Sequence, residues 1–288
     1  MANNKHQNES ATSRPAVQTD RLTWLWLLIG FILLPFTTVQ TVIPLAAWFA
    51  PVFLLRFART TRRARAALPL ISLVYLVGLT IATRGSESND PGVIVYGLIV
   101  GPVARCLFYT LPYIADRFTS SRLPPWARVL VFPLAFATVD WLMSLSAAIN
   151  STGSPAYSQY SSLALIQILS ITGMWGVTFL IMWFASTVNE LWEHGFDWRP
   201  VKGTAGAFVI TLGAVLVFGS SRLAFFPPSS PGIQAATITL DDAVSQQANS
   251  NIDWLKFNQS TDAERAARVI GRIDGSSLGF SWSCGWRT

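Results

Sequence analysis

Residues 22–55, LTWLWLLIGFILLPFTTVQTVIPLAAWFAPVFLL, form a run of 34 without one Asp, Glu, Lys or Arg. A single helix of that length would reach about 51 Å, against about 30 Å of hydrocarbon in a bilayer. Pro35 and Pro44 flank the softer stretch Thr37-Thr38-Val39-Gln40-Thr41. The run therefore predicts a tight hairpin of two spans, 22–37 and 41–56, rather than one overlong helix.

Working outward, residues 66–83, 141–189 and 203–221 are also free of charge. The segment 91–115 carries only Arg105, and 129–144 only Asp140. A crossing needs about 20 mostly apolar residues. Spans are expected at 66–83, 91–115, 129–144, 163–189 and 203–221, with a polar loop at 145–162. The total is about seven, an all-α polytopic membrane helix bundle. Composition agrees: charged residues are 12% of the 288, about half the roughly 25% of soluble domains. The chain has 12 Trp and 18 Phe, and its 51% hydrophobic content excludes a disordered chain or an ordinary soluble enzyme.

Lys and Arg in the loops set the orientation. Thirteen fall on one set of sides: three before the first span, five from Arg56 to Arg65, Arg117, Arg122, Arg128, Arg199 and Lys202. Arg84 and Arg222 fall on the other. The positive-inside rule places the thirteen, and the N-terminus, in the cytoplasm. Reading 22–55 as one span leaves a poorer ten against five, and still puts everything after Arg222 outside. The formal charge of +6 is thus explained by topology in a multi-pass cell-membrane protein, without nucleic acid. Arg56 to Arg65 are expected to touch anionic headgroups.

The domain organisation follows: a disordered cytoplasmic tail at 1–21, the helical domain at 22–222, a Pro-rich linker at 223–231, and a different material at 232–288. From residue 231 the charged fraction rises to about 19%. Residues 232–240 (GIQAATITL) read as a strand, and 261–273 (TDAERAARVIGRI) as a helix opened by a capping box of Thr261 and Glu264. Together they read as a short, truncated α/β fragment. Two cysteines and two histidines are too few for a disulfide framework or a Cys/His metal centre, so no metal and no cofactor are expected.

Two places carry polar chemistry. Arg105 lies twelve residues before Arg117, and Asp140 twelve after Arg128. Each is then about 18 Å from the same side of the bundle. At matching depth they are expected to form an intramembrane ion pair that holds two helices together; the other reading is an ion pathway. The uncharged loop 145–162, LSAAINSTGSPAYSQYSS, offers Tyr157, Ser158, Gln159 and Tyr160. These fit either tyrosines seated at headgroup level or one wall of a groove for a lipid or lipidated substrate. Ser170, Gly173 and Gly176, at spacing three, predict a close helix–helix seam.

The stretch Ala156-Tyr157-Ser158-Gln159-Tyr160, then Leu165-Ile166-Gln167-Ile168, then Gly173-Met174-Trp175-Gly176-Val177-Thr178-Phe179-Leu180, resembles the apolipoprotein N-acyltransferase family. Phe132-Pro133-Leu134-Ala135 and Asp140-Trp141 are also similar, although the family usually carries Glu where Asp140 stands. The resemblance covers about residues 22 to 240. It implies a nitrilase-like (CN-hydrolase) domain on the outer face. There a Glu-Lys-Cys triad takes an acyl chain from a phospholipid as a thioester and passes it to the N-terminal amine of a lipoprotein. Phospholipid and lipoprotein are therefore the implied partners. The candidates here, Glu264, Lys256 and Cys284, stand in none of the triad's motifs, and no catalytic residue carries over. The expectation is the membrane half of an acyltransferase-like protein, truncated and inactive alone. A lipid- or partner-binding membrane scaffold and a small transporter are the alternatives.

Overall fold

The computed structural model describes residues 22–38, 42–61, 64–83, 95, 99–119, 122–146 and 151–226. The expected tail at 1–21, the end of the linker, the strand at 232–240 and the helix at 261–273 lie outside them. The chain divides into two units, Met1–Ser229 and Ser230–Thr288, and the described residues belong to the first. They are helical, with no strand among them.

Helix α1 (Thr23–Leu33) ends in a 3₁₀ turn, Leu34–Thr37, and α2 (Pro44–Thr60) starts on Pro44, whose missing N–H is no loss at a first helical position. The two run antiparallel. Thr23 meets Thr60 at 3.4 Å, Trp26 stacks on Phe53, and the Ile43 N–H closes the turn onto the Phe36 carbonyl at 2.9 Å. A helical hairpin is present at the two prolines, its first arm a shorter apolar helix.

α3 (Ala64–Ala82), α4 (Gly101–Thr119) and α5 (Pro125–Ser144) follow. α3 packs on α4, and α4 on α5. Their shared core is aromatic: Tyr75 and Tyr113 share a hydroxyl hydrogen bond of 2.9 Å, and Tyr109 stacks on Phe136 at 4.8 Å. Hydroxyls within the apolar helices turn back onto their own backbone, as Thr80 does on Leu76 and Thr110 on Cys106.

The single helix expected over 163–189 is broken. Short helices α6 (Leu163–Ile166) and α7 (Leu169–Thr172) precede α8 (Met174–Glu193), and the chain turns by 119° between them. Gly173 makes the corner with φ 65°, a left-handed conformation that glycine adopts without a Cβ clash. The seam expected from Ser170, Gly173 and Gly176 is therefore not one helix face. Gly173 is the break, and Gly176 packs against Thr172 across the bend. α9 (Lys202–Phe225) closes the unit. Near its end Gly219 lies so close to α6 that a Cβ would sit 1.8 Å from the Ala164 carbonyl oxygen.

Among the described residues, two helices are long and apolar enough to cross a membrane, Trp126–Ser144 and Lys202–Phe225, and a third if the bent pair is one span. Thr23–Thr37 and Ala66–Ala82 are shorter apolar helices. α9 buries Ala205, Phe208, Val215 and Gly219 but bares Val209, Ile210, Val217 and Phe225. Helices that are apolar on their outward faces suit a hydrocarbon solvent.

Candidate functional site

Among the described residues, α5 and α8 make the most extensive helix contact. Arg128 meets Glu190; twelve residues on along α5 and twelve back along α8, Asp140 meets Thr178. The pair is antiparallel, with about 18 Å between these two polar levels.

At the Asp140 level the carboxylate is buried and accepts three hydroxyl hydrogen bonds. Tyr109 of α4 donates to Oδ1 at 3.1 Å; Ser154 and Thr178 donate to Oδ2 at 2.6 and 2.9 Å. Arg105 is buried one turn before Tyr109. Gly153, the neighbour of Ser154, lies against it: a Cβ there would come within 3.1 Å of the guanidinium Nε. Asp140 thus ties α4, α5, α8 and the 151–159 segment together.

That segment ends in a 3₁₀ turn, Pro155–Gln159, which holds the expected groove residues Tyr157, Ser158 and Gln159, with Tyr160 directly after it. The structure splits them. Ser158 and Gln159 are buried, and Tyr157 and Tyr160 are 52% and 65% exposed. Ser158 donates to the Pro155 carbonyl at 2.6 Å. Gln159 donates to the Pro44 carbonyl and accepts from the Trp48 indole, each at 3.1 Å. The turn is thereby anchored to the start of α2, with both tyrosines facing outward. The Tyr157 hydroxyl shares a hydrogen bond of 2.9 Å with Ser151.

The Glu190 level holds a cluster that sequence reasoning missed. Arg59 makes a two-pronged contact with Asp116, at 2.9 and 2.7 Å, and reaches Glu193 at 3.2 Å and Glu190 at 4.0 Å. Arg128 joins Glu190 and lies 3.6 Å from Glu193. Arg117 caps α2 on the Ala58 and Thr61 carbonyls. Burial alone would lower the Arg59 pKa. The carboxylate of Asp116, with Glu193 and Glu190 behind it, overrides burial and holds the guanidinium well above its ordinary value. Burial pulls the Arg117 pKa down.

The expected headgroup role of the Arg56–Arg65 cluster needs correction at two positions. Arg56 is buried with its guanidinium 5.0 Å over the Trp192 ring, and Arg59 is committed to three carboxylates. The side chains of Arg62, Arg63 and Arg65 lie outside the description. The signal available was the row Asp116, Glu190 and Glu193 beside the helix ends, since acids this close to apolar runs need cationic partners. Among the described residues, no three His, Cys, Asp or Glu side chains stand where they could hold a metal ion.

Apolar helices bared on their outer faces, with charges drawn inward and paired, define a helical membrane domain. Residues 30–187 match the apolipoprotein N-acyltransferase N-terminal domain. More than half of the chain is covered, and the chain belongs to that family, as its membrane half. No curated protein and no solved structure matches it.

Proposed function

We propose that this chain is the membrane domain of a lipoprotein N-acyltransferase system. It binds phospholipid and presents an acyl chain, and a lipoprotein acceptor, at the Asp140 end. The observation that carries the reading is the Pro155–Gln159 turn within the family match. Its buried Ser158 and Gln159 fix the backbone, while Tyr157 and Tyr160 stand outward as a neutral aromatic wall. Such a wall suits an acyl chain and repels no neutral ester.

The reading places seven spans in the bilayer, the N-terminus in the cytoplasm, and the Asp140 end and everything after Arg222 outside. The loop charges, thirteen against two, support this orientation. Within the bundle, Arg105 and Asp140 form an ion pair at matching depth, and the three hydroxyls on Asp140 complete its solvation. By itself this chain transfers no acyl group, because Cys284, Lys256 and Glu264 stand outside the triad's motifs.

A photoreactive benzoylphenylalanine at position 157 or 160 tests the site. Each should crosslink to labelled phospholipid in membranes, and the same group at Phe57, which is buried, should not. Equal labelling at all three positions, or none at 157 and 160, overturns the reading.

A further inference from the structure

α8 runs antiparallel beside α5, a helix long and apolar enough to cross a membrane, and its 20 residues reach about 30 Å. The ten residues before the Gly173 corner, 163–172, reach only about 15 Å and are too short to cross. Their axis is turned by 119° from that of α8. A turn beyond a right angle means that the chain climbs toward the Asp140 end over 163–172. At Gly173 it reverses and descends along α8. The segment therefore lies within about 30° of the plane normal to α8.

α9 gives the slope a second time. It meets α8 through Trp183 and Phe208, and its later residues lie farther toward the Asp140 end. Ala164 abuts Gly219, and the Ser170 hydroxyl accepts from Arg222. Six residues of the segment thus match three of α9, a climb of about 4.5 Å. Six residues inclined at 119° climb by the same amount, about 4.5 Å.

The segment's own chemistry says what surrounds it. Leu165 is the one buried residue of the ten, while Leu163, Leu169 and Ile171 are 58%, 41% and 66% exposed. No charge stands anywhere between residues 141 and 189. Polar groups are answered within the segment. The N–H groups of Ile166, Ile168, Ser170, Ile171 and Thr172 bond to carbonyls three or four residues back. Gln167 donates to the Leu163 carbonyl, Ser170 to Gln167 and Thr172 to Ile168. Bare apolar side chains on a backbone that needs no water suit hydrocarbon rather than solvent.

We infer that 163–172 is a shallow re-entrant element, dipping into the bilayer leaflet at the Asp140 end with Leu163, Leu169 and Ile171 among the acyl chains. Leu163 is its deepest exposed side chain, and Gly173 is its return point. The inference needs only the membrane setting. Crosslinking at 157 and 160 can fail without touching it, because its readout is depth along 163–171.

The experiment uses the full chain with Cys106→Ala and Cys284→Ala, reconstituted in phosphatidylcholine–phosphatidylglycerol vesicles. A nitroxide is placed on single cysteines at 163, 169 and 171. Power saturation with oxygen and a water-soluble nickel chelate reads each label's depth. Ile210→Cys and Val217→Cys, on the exposed face of α9 and about 10 Å apart along it, calibrate the scale. All three labels should be open to oxygen and shielded from nickel. Leu163 should lie deeper than Ile171 by about 6 Å, the climb of eight residues at 119°. A straight continuation of α8 would put Leu163 about 12 Å shallower instead. Leu163 shallower than Ile171 overturns the inference. So does nickel access at the three sites, which means water. Exclusion of both reagents means a protein cover, from this chain or a partner, and overturns it too.

Discussion

Replacing Asp140 by Asn separates the two ways its carboxylate can be held. The substitution keeps shape and one acceptor oxygen. If that oxygen takes the Oδ2 position, Ser154 and Thr178 keep their acceptor. The new amide then faces the Tyr109 hydroxyl, which can accept instead of donate. On hydroxyl contacts alone the change removes charge assistance from two or three bonds and costs about 1 kcal/mol. The proposed pair with Arg105 raises that figure, because Asn leaves a buried cation without its counter-charge. Breaking a buried pair from one side costs about 3–5 kcal/mol. At about 2–4 °C per kcal/mol for a domain of this size, the melting temperature should fall by about 6–20 °C. Arg105→Met added to Asp140→Asn removes the stranded cation and should recover part of the loss. Thermal unfolding in detergent, followed by tryptophan fluorescence, reads all three proteins. A fall of only 2–4 °C for the single variant, about 1 kcal/mol, with no recovery in the double, would refute the ion pair and leave the hydroxyls as the whole of the site.

A reporter active only outside the cytoplasm, fused after Ser230, should score positive; a signal from a cytoplasm-only reporter at that junction would reverse the proposed orientation. Asp116→Asn leaves Arg59 with only Glu193 and the more distant Glu190, and should destabilise by about 3 kcal/mol in the same melting assay; Arg59→Met with Asp116→Leu should be milder. Gly219→Ala drives a methyl into the Ala164 carbonyl and should cost about 1–3 kcal/mol, whereas Gly213→Ala, with open space around it, should melt like the wild type. Purified chain given labelled phospholipid should carry no acyl thioester; label on Cys284 that disappears in Cys284→Ala would contradict the proposed inactivity.

The hairpin was legible because two prolines and a short polar stretch interrupt a run too long for one crossing. The level of Asp140 was legible from distance along the chain: twelve residues separate it from Arg128, and the same count separates Glu190 from Thr178 on the facing helix. The break at Gly173 was not legible. An apolar run with small residues every third position looks the same whether the chain continues straight or turns, and only φ at one glycine decides it. The cluster around Arg59 was hidden by the rule used to draw the expected spans. Ending each span at its first charge placed Arg59, Asp116 and Glu190 in loops facing water. In the fold α2, α4 and α8 continue through those charges to Thr60, Thr119 and Glu193. Helix ends can carry ions inward when another helix supplies the counter-ion, and a sequence read one segment at a time does not show which helix that is.

The two polar levels of α5 and α8 therefore do different physical work. Around Glu190 the ion pairs run between side chains of regular helices, and Arg59 grips Asp116 by two parallel bonds that fix both distance and angle. That end holds four helices, α2, α4, α5 and α8, in one register. Around Asp140 two donors come from helices and one, Ser154, from a non-helical segment that Gln159 anchors separately to α2. Asp140 accepts the Ser154 hydroxyl and the Gln159 side chain joins Pro44 and Trp48, so side chains of this segment are tied to the helices at two points. A segment held at both ends by buried polar side chains can present Tyr157 and Tyr160 outward without adding strain to the helices. Loss of Gln159 should therefore disturb what the tyrosines contact more than it disturbs the bundle. The crosslinking yield at 157 and 160 should fall in Gln159→Leu while the melting temperature stays within a few degrees of the wild type.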